Sequence, residues 1–498
     1  MNINKYTPTS VYKTIFDIDY NELYAQGKRY ILTDSKEGNW SELGIEPILY
    51  PEKKYDITEL LPTADYDGRD FRISCTDLYT YEMYVEEMSG DVCNDAIYSR
   101  NQLINELYNV NIVPVISTIQ SRNEDHVDEV KKNLLAGENI YDLTAIYTYV
   151  AQYAVLAGCF HDWNDIPIVD FSGDWWIQSA NEAFTIGDSR YVAVGDLSIT
   201  TLMFTYVYYY NRAIALNHNL PNLYDIVKDG KWTIDKVIEL TNTMYQDTNG
   251  NGNVDQTDTF GLAAQTVTSL DAYPAAFDIS LISKDSDNYP VLALDMDRMT
   301  RAIEKVYDLY YNNNNATFCH TNKEEIMTFT EGRALFLTQM LQEAYSSLRE
   351  MEDDYGILPY PKLDEAQQNY HVNSMDNYSL LSVPVTVSEE DLEFVGHIVE
   401  ALNIESKNSV FPAYYEIALT DKYARDMESV EMLEIIMDSR TYDFSILHGH
   451  YFAQLPYMFR NLLREKSTNF ASTYAAAQTK METGLENLLK EYTALSER

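Results

Sequence analysis

The stretch "DTNGNGNVDQTD", Asp247 to Asp258, sets oxygen-bearing side chains at alternate positions. Calcium takes about six to eight oxygens, and a loop of this length supplies them from positions 1, 3, 5, 7, 9 and 12. Those positions hold Asp247, Asn249, Asn251, Asn253 (through its backbone carbonyl), Asp255 and Asp258. Gly252 falls where such a loop must turn sharply, and Val254 stands where a hydrophobic residue pins it to a core. The last position is Asp, a shorter arm than the usual Glu, and only three of the ligands are charged. The same Asn and Gly residues also form metal-free turns. Register, glycine and hydrophobic position together predict a structural Ca2+.

The flanking segments define what the loop serves. "WTIDKVIELTNTMYQ" reads as a helix with Thr233 as N-cap, Asp235 in its first turn, and Ile234, Val237, Ile238 and Met244 on one face. "TFGLAAQTV" after the loop reads as a strand. A helix–loop–helix sensor needs a second helix and a paired loop, so the expected role is a staple.

Charge restricts the partners. Lys and Arg total 36 against 78 acidic residues, a net charge of −42. That field disfavours nucleic acid and anionic membrane surfaces. No apolar run approaches the roughly 18 residues that span a bilayer, and "MNINKYTPTS" lacks the basic and apolar regions of a signal peptide. The four cysteines, Cys75, Cys93, Cys159 and Cys319, show no Cys-x-x-Cys spacing and read as buried thiols. The 42 tyrosines combine an apolar face with a polar tip, which suits sugar or peptide contacts, although most must serve ordinary packing.

The hydrophobic pattern alternates between strand and helix along 498 residues, enough for two or three domains. "RDFRISCTD", "NIVPVIST", "YDLTAIY", "RYVAVGDLS", "FTYVYYYN" and "ALFLTQM" read as strands. "YTYEMYVEEM", "NDAIYSRNQLINELYNV", "EDHVDEVKKNLLAG", "MDRMTRAIEKVYDLYY", "KEEIMTFTEGR", "SEEDLEFVGHIVEALNIES" and the C-terminal segment read as helices. Residues 1–58 read as an irregular leader.

Eight segments in order, "NDAIYSRN", "GDWW", "GDLS", "NLYDIVKDGKWTIDKVIEL", "DTNGNGNVDQTDTFGL", "EGRALF", "YGILPYPKLDEAQQNY" and "FPAYYEIALTDKYARD", resemble the family 1 extracellular solute-binding proteins. These are the sugar-capturing lipoproteins of ABC importers in Gram-positive bacteria. The resemblance runs from about residue 60 to about residue 445. It implies an α/β fold of two lobes, the type II periplasmic-binding-protein-like architecture, with ligand gripped in the cleft by hinge closure. Lobe 1 is then expected over 59–190 plus about 356–425, and lobe 2 over 191–355 plus about 426–498. Interlobe crossings are expected near 186–195 and 355–382. The expected protein is a monomeric extracellular receptor, lipid-anchored through a signal peptide and cysteine not present in this sequence, that delivers an oligosaccharide or other small polar solute to a membrane permease.

Under that resemblance, the expected ligand residues are Thr76 and Asp77 after the first strand, Trp175 and Trp176 in "SGDWWIQ", Asp196, Gln339, Asn377, Tyr378 and Tyr414. A sugar's C–H face lies well on an indole, so one tryptophan is expected against the ligand and the other in a core. Tyr414 and Tyr415 fit a cleft wall or a lobe core equally. Arg100, with Asn94 and Asp95, is read as a structural network. The competing reading is a carbohydrate-active enzyme, a glycoside hydrolase or calcium-dependent lyase. With so many carboxylates a suitable pair is always available, so abundance does not argue for it. No His-Glu-x-x-His, nucleophile elbow or phosphate loop is present. Non-transport sensing of a peptide or another polar solute is a third reading.

Overall fold

The computed structural model describes residues 55–117, 123–255, 257–265, 269–312, 316–319, 323–420 and 427–497. The strands are β1 (Arg69–Thr76), β2 (Val110–Ser117), β3 (Leu143–Tyr147), β4 (Tyr206–Asn211), β5 (Phe260–Gln265), β6 (Ile282–Lys284), β7 (Pro290–Leu292), β8 (Ala316–Cys319), β9 (Ala334–Met340), β10 (Tyr355–Leu358) and β11 (Ser379–Ser382). They form two main sheets, ordered β11-β3-β1-β2 and β10-β4-β9-β5-β8, and a small β6-β7 hairpin. Each main sheet is parallel except for one antiparallel strand, β11 where the chain returns to the first and β4 where it enters the second. The two-lobed α/β expectation therefore holds.

Local sequence explains most elements. The helix Ile234–Thr241 is capped by the Thr233 hydroxyl, which accepts from the Lys236 N–H at 3.3 Å. Val127, Val130 and Leu134 are buried on the helix Asn123–Leu135, and Gly137 ends it at φ +78°. The helix Met296–Tyr311 buries Met299, Ile303, Val306 and Tyr310 as its 3.6-residue pattern predicts. Cys75, Cys93 and Cys159 are buried. Residues 1–54 of the expected leader lie outside the described residues; Ile57–Leu60 form a short helix capped by Asp56.

Two segments depart from their patterns because side chains take over the backbone's hydrogen bonds. The segment "RYVAVGDLS" is not a long strand; it makes only isolated bridges, Ala193 to Leu381 and Gly195 to Trp176. Asn181 serves both the N–H and the carbonyl of Val194, at 2.8 and 2.9 Å, and the Asn403 side chain accepts from the Leu197 N–H at 3.0 Å. A Cβ on Gly195 would sit 2.1 Å from the Asn403 side-chain oxygen, so glycine is required there. The helix in "YTYEMYVEEM" stops at Met83. Fully buried Arg100 donates to the carbonyls of Glu82 and Met83 and to Ser406, the structural network the sequence suggests.

The first crossing lies later than 186–195. Ala193 still pairs with β11 of the first lobe, and the chain changes sheet at Thr205 and Tyr206. The return runs beside it through residues 373–375: Thr205 bridges Ser374, the Tyr206 N–H donates to the Asn373 carbonyl at 3.0 Å, and the Met375 N–H to Phe204 at 2.9 Å, while β10 stays paired with β4 of the second sheet. A third segment, unforeseen, joins them, with Val372 bridging Arg440 and the Thr441 N–H donating to Val372 at 2.7 Å. Among the described residues no helix is long and apolar enough to cross a membrane.

Candidate functional site: the hinge cavity between the lobes

Strand direction places the site. In the first sheet the carboxyl end of β3 meets the amino end of β11, Tyr147 opposite Ser379. In the second, the carboxyl end of β9 meets the amino end of β4, Met340 opposite Tyr206. The crossing segments therefore run between the carboxyl ends of both sheets, where loops and helix starts from each lobe converge.

A small cavity of ≈ 40 Å³ lies at this hinge. The crossing segment contributes Asn373, Ser374 and Asp376, the second lobe Tyr206 and Asp271, and the helix Leu455–Arg464 contributes Tyr457. Arg460, one helical turn beyond Tyr457, pairs with Asp271 at 2.5 Å and lies 4.5 Å over the Tyr457 ring. The Tyr457 hydroxyl donates to Asp376. Asp443, also in the lining, accepts from the backbone N–H groups of Leu281 and Ser445 at 2.9 and 2.8 Å.

Burial raises the pKa of Asp271 well above the usual carboxylate range, against the pull of Arg460. It raises Asp376 as well, opposed by the Tyr457 hydrogen bond and Arg460. Two buried acceptors in this lining, Asp271 Oδ1 and Asn373 Oδ1, accept no hydrogen bond from the described residues. Buried polar atoms are normally satisfied, so these two mark where a ligand's donors would count most.

On the first-lobe side the junction is aromatic. Tyr79, half-buried in the loop after β1, lies edge-on to Tyr147 at 5.1 Å and to Phe204 at 5.4 Å, and hydrogen-bonds Asn377. Tyr81 points its hydroxyl at the Met203 sulfur, 3.7 Å away. Across the junction Tyr345 of the second lobe donates to Asp91 of the first at 2.6 Å.

The expected ligand residues divide. Thr76, Asp77 and Asn377 do gather at the carboxyl end of the first sheet: Thr76 is buried with its hydroxyl 2.7 Å from that of Tyr147, Asp77 is exposed, and Asn377 holds Tyr79. Tyr414 is buried beside Tyr345, ring centroids 5.9 Å apart, on the wall of a ≈ 20 Å³ recess where the lobes meet. The remaining five are placed elsewhere. Trp175 and Trp176 are 6% and 2% exposed inside the first lobe, and their indole N–H groups donate to the two oxygens of Glu400 at 2.8 and 2.9 Å. Neither offers a face to a sugar. Asp196 is buried in the first lobe, 3.3 Å from Lys407. Gln339 is spent on Glu325 within the second lobe, at 2.9 Å. Tyr378 is 1% exposed, its ring against Tyr442.

Asp271, Asn373, Asp376, Tyr457 and Arg460 escaped the sequence reading. The nearest signals were "SMDNYS", where the neighbouring Asn377 was chosen, and the Tyr457/Arg460 spacing on the amphipathic helix.

The Asp247–Asp258 loop lies away from this site. Asp247 accepts from the N–H groups of Gly250, Asn251 and Gly252 at 2.7, 3.2 and 2.8 Å, which curls the chain around it. Asn251 accepts from the Asn253 N–H at 2.7 Å, and the Asn249 and Asn251 amides donate to Asp255 at 3.1 and 2.6 Å. Thr257 and these amides hold Asp255 below its usual range. Fully buried Asp258 turns inward to Tyr245 and to the Thr248 and Asp255 N–H groups. The all-oxygen donor set suits a hard cation. Its carboxylates are engaged with the loop itself, and among the described residues no three His, Cys, Asp or Glu side chains are grouped to hold a metal.

No protein-family model matches the chain, and no curated protein matches it. Solved structures do. The galacto-N-biose/lacto-N-biose I-binding protein of the ABC transporter from Bifidobacterium longum, in complex with lacto-N-biose, aligns with TM-score 0.57 at 11% identity, covering 85% of this chain and 98% of that one. The GacH receptor of Streptomyces glaucescens aligns with TM-score 0.53 at 13% identity, over 83% and 99%. UgpB from Mycobacterium tuberculosis, in complex with glycerophosphocholine, aligns with TM-score 0.53 at 12% identity, over 85% and 99%. At such identities the likeness establishes the fold. The chain has the two-lobed periplasmic-binding-protein-like architecture.

Proposed function

We propose that this chain is an extracellular solute-binding receptor of an ABC importer that captures an oligosaccharide between its lobes. The observation that carries the reading is the hinge itself, three crossing segments side by side with a small cavity against them in which polar groups sit among apolar ones. The shared fold with proteins solved with sugars bound supports it. In the proposed mechanism the lobes close about residues 204–206, 372–375 and 440–442. Hydroxyls meet Asp271, Asn373 and Asp376, and a C–H face packs on Tyr457 or Tyr79. Closure dehydrates these contacts, and a membrane permease reads the closed form. Lipid anchoring and a monomeric state belong to the same proposal.

A thermal-shift screen of the purified chain against mono- and oligosaccharides, with product analysis of every hit, tests it. A ligand that binds only the folded state stabilises by about 2.7 kcal/mol at a hundredfold excess over its Kd. A shift with the sugar intact is expected; a sugar returned cleaved would replace the receptor with an enzyme.

Calcium in the Asp247–Asp258 loop is a separate proposal, resting on ligand type and register. Asp247, Asn249, Asn251, Asp255 and the Asn253 carbonyl would hold the ion, with Asp258 giving up hydrogen bonds to join them. Its role would be to secure an exposed excursion of the second lobe. Added Ca2+ is expected to raise the Tm by a few degrees and chelation to reverse it, with sugar affinity unchanged. A Tm indifferent to both would leave the loop closed by hydrogen bonds alone.

A further inference from the structure

The lining of the hinge cavity carries buried acceptors that no described group meets. The Tyr457 hydroxyl is given to Asp376, the Ser374 hydroxyl donates to the Thr201 carbonyl at 2.8 Å, and the Arg460 guanidinium faces Asp271. Asn373 Nδ2 leans on the Asp271 carbonyl at 3.5 Å. Against this, three carboxyl groups, Asp271, Asp376 and Asp443, line the cavity and Arg460 is paired to one of them. Asn373 is 7% exposed, and its Oδ1 accepts nothing from the described residues; the same holds for Asp271 Oδ1.

Each class of ligand group can be weighed against that lining. A carboxylate or phosphate brings no donor and leaves Asp271 Oδ1 and Asn373 Oδ1 unmet. A neutral hydroxyl brings one donor and two lone pairs, which this lining has few donors to satisfy. An ammonium brings three donors, a positive charge and no acceptor. Its donors suit Asp271 Oδ1, Asn373 Oδ1 and the Asp376 carboxyl, which share this lining. The net charge of −42 adds a long-range field that draws cations towards the protein.

We propose that the hinge cavity receives an ammonium group of the solute, so that the cargo is an amine-bearing one such as an amino-sugar oligomer. The inference rests on the receptor reading and narrows its cargo. An ammonium in this position would oppose the burial that raises Asp271 and Asp376 and favour their ionised forms, and closure of the lobes would strengthen the contact by excluding water.

The test is a binding panel on the full chain, by calorimetry, with neutral, amino and uronic-acid oligosaccharides of matched length, together with linear polyamines and lysine-containing peptides. The expected result is that hits carry an amine and that N-acetylating that amine weakens binding tenfold or more. Asp271→Asn and Asn373→Leu should each erase most of that discrimination, with far-ultraviolet circular dichroism showing both variants folded. Neutral sugars bound as tightly as their amino counterparts would overturn this inference and leave the receptor standing. Acidic sugars among the tightest hits would also overturn it. No binding by any member would remove the receptor reading and this inference with it.

Discussion

Two buried carboxyl sites in this chain look alike by composition and differ in how they are satisfied. In the first lobe, Glu400 takes one indole N–H on each oxygen, from Trp175 and Trp176, with Trp163 packed edge-on at 5.8 Å from Trp176. At the hinge, Asp271 has one oxygen on Arg460 and the other without a described partner, in a lining that holds space. The first arrangement is closed and the second is open. A closed polar unit fixes a core; an open one in a cavity waits for a ligand. The aromatic signal in the sequence pointed to the closed site, and the proposed ligand site is the open one.

That contrast breaks most sharply at Trp176. Trp176→Ala deletes a fully buried indole and leaves a Glu400 oxygen unpaired, so a loss of about 3–5 kcal/mol in unfolding free energy is expected. The affinity of the remaining folded protein should stay within a factor of a few. If affinity collapsed while stability held, the tryptophans would belong to the site after all. Asn373→Ala should behave the opposite way. It removes an Oδ1 acceptor in the cavity lining that is unmet among the described residues, and an Nδ2 donor whose hydrogen bond to the Asp271 carbonyl is long at 3.5 Å, so ligand affinity should fall by about 1–2 kcal/mol with the Tm nearly constant. Equal losses of stability and affinity would erase the distinction between the regions.

The smallest effect is a slope. Burial pushes the Glu400 carboxyl up to about 7, against the two indole hydrogen bonds. A carboxyl raised in the folded state is protonated more readily there than in the unfolded chain. Its contribution is therefore most favourable below the unfolded value near 4.5 and is lost as pH rises through the folded value of about 7. Glu400→Gln cannot ionise, so its stability relative to the parent should improve between pH 4.5 and 7 and level off above. Denaturant melts across that range check it; a constant difference would mean that Glu400 does not titrate there.

Much of the fold was legible locally. β1, β2, β3, β5 and β9, and the helices Val92–Tyr108 and Met296–Tyr311, follow from apolar periodicity and punctuation such as Thr233 and Gly137. The segments that failed, "RYVAVGDLS" and "YTYEMYVEEM", failed because Asn181, Asn403 and Arg100 reach in from elsewhere to take backbone groups that a regular element would have paired. No local pattern reports that. Of the expected ligand residues, Thr76, Asp77 and Asn377 stand nearest the proposed site. Its centre joins Asp271, Asn373, Asp376, Tyr457 and Arg460, which no sequence spacing groups.

The sequence by itself determined the alternation of elements, the acidic surface and the register of the Asp247–Asp258 loop, since these depend on neighbours within a few residues. The tertiary structure decided which polar side chains are spent and which are left over. That is a property of who stands opposite whom once two sheets turn their carboxyl ends towards one hinge, and hydrogen-bond satisfaction at that range is set by the fold rather than by residue type.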